Sequence, residues 1–394
     1  MHLQEQLALD LKSLVVFRNL LQDEVVLRLC LLLESDALPV AQRIARYSDF
    51  VASLYCHGNN LTDYLINRVC HDDNRFVRLT AQGKQVGEWL RVCAYEELKK
   101  LERVSRLTSE ALSSSLGYDG YLPGWETSSV CFTSVFGQAM DEVAQRGYGA
   151  FSQHTMFTLK DGVLSPVRYP DPIRLSELYG YETARDEVVR NTLALVSGKP
   201  AANTLLYGDA GTGKSSTVKA VVNEYAHMGL RLIELTKRQL HEIPEIIAQL
   251  SDNPLKFILF IDDLSFTTVG DDFNTLKAVL EGSASARSAN FAIYATSNRR
   301  HLIKERFSDR DGDDIHLNET MQELCSLSDR FGLSVGFYKP DKRQYLELVL
   351  ALKNRHKIDI EDAALFLEAE RFATMRGGRS PRTATQFIGQ LMNQ

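Results

Sequence analysis

Asp262 and Asp263 close an apolar run, Phe257-Ile258-Leu259-Phe260-Ile261. Upstream, Gly208-Asp209-Ala210-Gly211-Thr212-Gly213-Lys214-Ser215 fits the pattern G-x-x-x-x-G-K-[ST]. Those residue types at that spacing suit phosphate chemistry. Gly208, Gly211 and Gly213 let the backbone turn tightly and aim its N–H groups at phosphate oxygens. Lys214 would reach the β- and γ-phosphates of a nucleotide, and Ser215 would ligate Mg²⁺. Asp209, Ala210, Thr212 and Ser216 complete the set expected at the phosphates. Asp262 suits an Mg²⁺-linked role, directly or through a water, and Asp263 would orient or deprotonate an attacking water. The bland readings are a chance glycine turn and a carboxylate pair that caps the next helix.

These groups need rigid elements to hold them. Asn203 to Tyr207 is a short apolar run before the loop, and Ser216 to Met228 has helical character and stops at Gly229. That order predicts strand, loop and helix, with the helix N-terminus adding partial positive charge at the phosphates. Apolar runs at Leu205–Tyr207, Arg231–Leu235, Phe257–Ile261 and Phe291–Ala295 alternate with helical segments. Such alternation marks a parallel α/β sheet, and ligands of open α/β sheets bind where the strands end. After Pro340 the strand signal fades into helices, which predicts a small helical lid.

The remainder is read more coarsely. Leu7, Leu11, Leu14, Val15 and then Leu20, Leu21, Val25 recur at steps of three and four, which predicts a helical N-terminal domain. Ser113 to Pro172 is rich in Gly, Ser, Tyr and Pro, with a hairpin signal at Asp161-Gly162. The expected layout is therefore an all-α domain over 1–112 and a linker with a small β-hairpin over 113–172. A P-loop core follows over 173–338, with its parallel sheet sandwiched by helices, and the helical lid over 339–394 comes last.

With 394 residues and a net charge of −6, the chain has no overall electrostatic pull toward nucleic acid or anionic membrane. Its six cysteines form no C-x-x-C pair, which speaks against a zinc knot or disulfide framework and for reduced thiols in a cytoplasmic protein. Neither a secretory signal nor a membrane span is legible, so no membrane partner is expected. Asp309 to Asp314 invites a calcium reading, but an EF-hand loop would need Gly where Asp314 stands and Glu where Thr320 stands.

As a set, LLYGDAGTGKSSTVKA, FILFIDDLSF, IYATSNRRHL, LSDRFGL and GGRSPRTATQF resemble the AAA+ ATPase superfamily. In wording they are similar to a bacterial AAA+ family of unknown function. The resemblance covers residues 170 to 394 and implies ATP with Mg²⁺ at sites shared between subunits of a ring or spiral homo-oligomer. It implies that Asn298 is the polar residue that positions the lytic water, and that Arg330 is an arginine finger offered to a neighbouring subunit. Arg382 resembles the lid arginine, with Arg379 as competitor. Gly180 and Tyr181 stand where the family carries its adenine-side segment. Where most relatives have Asp-Glu at the strand end, Asp263 is one methylene shorter, which puts its reach to the water in question. Protein-threading members usually present an aromatic-hydrophobic-Gly loop after the second strand, whereas Thr236-Lys237-Arg238-Gln239-Leu240 offers neither aromatic nor glycine. Two partner classes follow. One is a protein grasped by the N-terminal domain and remodelled; the alternative is DNA, held by an ATP-gated loader or switch through Lys237, Arg238 and Arg299-Arg300.

Overall fold

The computed structural model describes residues 3–266, 271–281, 290–298 and 327–393. The chain divides into two compact units, Met1–Gln153 and His154–Gln394.

The first unit is helical. Leu3–Lys12, Glu24–Leu33, Val40–Tyr55, Leu61–Cys70, Arg75–Ala81, Glu88–Ser105 and Phe132–Asp141 surround one apolar core. Helix starts carry side-chain caps: Asp23 accepts from the amides of Val25 and Val26, Asn60 from Asp63 and Asn74 from Val77. Glu97 is buried, yet its carboxylate accepts from the amides of Val15, Val16 and Phe17 at 2.7–3.2 Å, which satisfies a charge that burial would otherwise penalise.

This unit runs well past position 112. The Gly- and Ser-rich stretch after Ser113 is irregular but packed. Trp125 is buried, its indole N–H donates to Leu107 O at 2.8 Å, and its ring meets Phe50 edge-on at 5.0 Å. Turn-forming composition reports a lack of regular structure, and it does not report a lack of packing.

The second unit is built on a seven-stranded sheet. Its strands are β1 (Met156–Lys160), β2 (Val163–Pro166), β3 (Thr204–Gly208), β4 (Leu230–Leu235), β5 (Lys256–Ile261), β6 (Phe291–Ser297) and β7 (Leu333–Phe337). Their order is β2-β1-β4-β5-β6-β3-β7. All neighbours are parallel except the β1–β2 hairpin. The hairpin read at Asp161-Gly162 is present, and β1 adds to the sheet beside β4 instead of standing in a separate linker. Phe257 to Ile261 are all fully buried, as expected for a central parallel strand covered on both faces.

The helix Lys214–Tyr225 follows the loop and ends through a 3₁₀ turn at Gly229, which takes φ +89°. The lid helices Lys342–His356, Asp362–Met375 and Pro381–Met392 close on their own core around Tyr345, Leu365 and Phe387.

Strand order decides what can meet. β6 lies between β3 and β5. The C-terminal end of β6 is thereby inserted between the glycine loop after β3 and the acid pair after β5.

Candidate functional site

The loop leaves β3 at Gly208, whose φ of +130° only glycine adopts readily. A Cβ there would overlap the Phe337 carbonyl of the neighbouring strand. Asp209 N donates to Phe337 O at 2.9 Å, and the Asp209 carboxylate accepts from Lys339 N at 2.8 Å. Asp209 thus ties the loop to the end of β7. Gly211 and Gly213 take φ +79° and +91°, the left-handed turns that curl the loop before its helix.

Lys214 folds back over the loop. Its ammonium donates to Gly208 O at 2.9 Å, Asp209 O at 2.7 Å and Asn298 Oδ1 at 3.2 Å. Burial pushes its pKa below the ordinary lysine value, while Asp209, Asp262 and Asp263 oppose the shift. A phosphate would add negative charge beside an ammonium that three neutral oxygens now hold.

Asp262 Oδ1 accepts from Ser215 Oγ at 2.6 Å, from Thr296 Oγ1 at 2.5 Å and from Asp263 N at 3.2 Å. Asp263 sits at φ +52°, a costly backbone for a non-glycine residue. It is held there from two sides. Its amide donates to Thr296 Oγ1 at 2.9 Å, and its carboxylate accepts from Asn298 Nδ2 at 2.9 Å. Lys214, Asn298, Asp263, Thr296, Asp262 and Ser215 therefore form one continuous hydrogen-bonded chain across three strand ends.

These groups line a cavity of about 830 Å³ in the second unit. Ala210 to Thr217 form one wall, and Asp262, Asp263, Thr296 and Asn298 also line the cavity. Gly208 and Asp209 are not among the lining residues. They act through the Lys214 contacts and the tie to β7.

Tyr181 lines the cavity, with its ring 5.3 Å from that of Phe337 and its hydroxyl donating to Tyr338 O at 2.6 Å. Burial pushes its phenol up to about 12. Gly180 takes φ +71° and its carbonyl accepts from Arg185, so its part is the turn. Arg382 lines the cavity and its amide donates to Gly211 O at 3.2 Å. Arg379 instead forms a two-pronged pair with Glu370 at 2.8 and 2.6 Å. Arg330 pairs with Glu281 and is not among the residues that line the cavity.

Three features escaped the sequence reading. Thr296 lies beyond the apolar run Phe291–Ala295, yet β6 extends to Ser297 and so carries it. β7 was not read at all, because Leu333–Phe337 contains Ser334 and Gly336 and is a short edge strand. The contact of Glu177 with Arg355 joins positions too distant for any local pattern to reveal. Arg299, Arg300 and the acidic run Asp309–Asp314 lie outside the described residues.

A family profile described as "Protein of unknown function (DUF815)" matches residues 150–394. The chain belongs to that family. Glycine loop, acid-ended strand and interposed β6 are the AAA+ arrangement that the sequence resembles, so the DUF815 unit is an AAA+ fold.

Among curated proteins, the chain is similar to the replication factor C large subunit of Staphylothermus marinus, 24% identical over 202 residues. That match covers 49% of this chain and 42% of the relative. It is also similar to the chaperone protein ClpB of Staphylococcus epidermidis, 25% identical over 215 residues, covering 47% of this chain and 22% of the relative. The chain thus spans less than half the length of these relatives.

Among solved structures it is similar to the Thermotoga maritima RuvB Holliday junction branch migration motor, with TM-score 0.34, 15% identity, and coverage of 56% of this chain and 72% of that one. It is likewise similar to the FIGL-1 AAA domain in complex with ADP, with TM-score 0.38, 16% identity, and coverage of 56% and 73%.

Proposed function

We propose that this DUF815 protein is an ATPase that binds ATP with Mg²⁺ and hydrolyses it at sites shared between subunits, to drive remodelling of a macromolecular partner. The observation that carries the reading is the hydrogen-bonded chain from Lys214 through Asn298, Asp263, Thr296 and Asp262 to Ser215.

The residues present fit magnesium nucleotide. Ser215 Oγ and Asp262 Oδ1 stand 2.6 Å apart and are hard oxygen donors. Among the described residues, no group of three or more His, Cys, Asp or Glu is placed to hold a metal. Two protein oxygens suit an ion that keeps waters and takes its remaining ligands from phosphate. When bound, magnesium would neutralise charge that develops on the phosphate oxygens.

In this reading Lys214 exchanges its loop carbonyls for phosphate, and the left-handed glycines free the loop amides to point inward. Ser215 and Asp262 hold the ion. Asp263 takes the proton of, or aligns, the attacking water, and Asn298 keeps that carboxylate in place. Because Asn298 spans Lys214 and Asp263, it would register whether the terminal phosphate is present. Arg382, bonded to Gly211 through its amide, would bring positive charge from the lid.

Arg330 would serve the neighbouring subunit, where its planar guanidinium can fork onto phosphate oxygens. Mixing two inactive variants tests this. Lys214→Ala loses its own phosphate site but offers Arg330, and Arg330→Ala keeps its site but lacks the finger. Recovery of turnover on mixing supports shared sites. Normal turnover by Arg330→Ala alone contradicts them.

The N-terminal helical unit is the proposed grip on a protein partner. The DNA alternative leans on Arg238 and on residues outside the described set, because Lys237 is already engaged. Its ammonium lies 4.6 Å from the Phe266 ring centre and 3.9 Å from Asp272. Among the described residues no helix is long and apolar enough to cross a membrane.

A further inference from the structure

Besides the glycine loop and the acid pair, a charged pair, Glu177 and Arg355, lines the cavity. Glu177 ends the 3₁₀ turn Leu175–Glu177, and one of its carboxylate oxygens accepts from Arg174 N at 2.9 Å. The other accepts from Arg355 Nη2 at 2.5 Å. Arg355 lies in the last turn of the lid helix Lys342–His356. Both residues line the cavity.

Each partner stands on a braced element. Asn223 donates to Asp171 O and Ile173 O, both at 2.8 Å, and pins the segment before Glu177 to the helix Lys214–Tyr225. On the lid side, Lys353 pairs with Asp362 at 2.5 Å and ties the last turn to the next helix. The pair therefore joins core to lid beside the cavity, as the bond from Arg382 N to Gly211 O also does.

We propose that Glu177 and Arg355 form a clasp that sets how long the cavity retains a nucleoside diphosphate or triphosphate. The inference rests on the nucleotide-binding reading above. Both are positioning residues: they restrain lid against core and perform no chemistry. The side chains are 35% and 38% exposed, so solvent and salt screen the pair. A screened pair of this kind shifts an equilibrium by only about two- to five-fold. That strength suits a contact that opens in every cycle.

The test is a chase experiment on the full chain. Fluorescent N-methylanthraniloyl-ADP is bound and then displaced by excess unlabelled ADP, at low and high salt. Glu177→Gln keeps an oxygen for Arg174 N while removing the charge, and Arg355→Gln removes the other partner. Each single variant is expected to release the probe about two- to five-fold faster at low salt. Wild type is expected to approach the variants at high salt, and the double variant to be no faster than either single one.

Wild-type release rates in the single variants would overturn the clasp, as would additive effects in the double variant. Failure of the wild type to bind the probe would instead sink the nucleotide reading itself. Loss of fold in a variant would show in its thermal melt; Arg355→Lys, which restores the charge, must then recover slow release for the clasp to stand.

Discussion

Thr296→Val isolates the contribution of one hydroxyl to the acid pair. Val has nearly the shape of Thr, so at this buried position the change removes a hydroxyl and little volume. Two bonds are lost: the donation to Asp262 at 2.5 Å and the acceptance from Asp263 N at 2.9 Å. The first is a bond to a charged group, a class that contributes about 1.5–3 kcal/mol. The second braces the φ of +52° at Asp263. If about 1.5–3 kcal/mol of carboxylate placement is lost from the transition state, kcat falls roughly 10- to 150-fold. Nucleotide affinity should stay within about three-fold, because Lys214 and the loop amides are untouched. The assay is steady-state phosphate release, with calorimetry for binding, and Thr296→Ser should restore most of the rate. A Thr296→Val protein with unchanged kcat, or one that loses binding and turnover together, would refute this assignment.

Other perturbations have distinct readouts. Arg330→Ala should bind ATP normally yet hydrolyse it about 10³-fold or more slowly, read by phosphate release at saturating nucleotide. Asp263→Asn should retain binding and lose turnover, because its amide can still meet Asn298 but cannot accept a proton; undiminished turnover would remove Asp263 from the chemistry. Gly208→Ala forces a Cβ into the Phe337 carbonyl at a positive φ and should cost about 3 kcal/mol or more, read from the denaturant midpoint of the second unit. Burial pushes the Cys30 thiol up to about 11, whereas bonds with Thr133 and the Ser134 backbone lower that of Cys131. At pH 8 Cys131 should therefore be alkylated well before Cys30, as peptide mass spectrometry would show. Raising the pH toward 11 should narrow the gap by generating the Cys30 thiolate.

Most of the second unit was legible because its signals are local. The glycine loop, the run Phe257–Ile261 and the strand before Asn298 each carry their information within about ten residues, which is the range over which hydrophobic periodicity and turn chemistry act. The β1–β2 hairpin was legible for the same reason, through Asp161-Gly162. Its place beside β4 was not, since strand pairing across the sheet is set by tertiary contacts. The span from Ser113 to Trp125 was read as linker because Gly and Pro announce turns, whereas the burial of Trp125 depends on Tyr47 and Phe50 far away in sequence. Within the site, residue types announced Lys214, Ser215 and the acid pair. The bracing by Thr296 and the clasp of Glu177 with Arg355 came from side-chain geometry alone.

The central claim is that a nucleotide triphosphate binds where Lys214, the glycine loop and the acid pair converge. Titration calorimetry of the full chain with ATP and Mg²⁺ tests it most directly, with Lys214→Ala beside the wild type. Saturable binding near one nucleotide per chain, lost in the variant, is the expected result. No saturable heat in the wild type, or equal binding by Lys214→Ala, would contradict it.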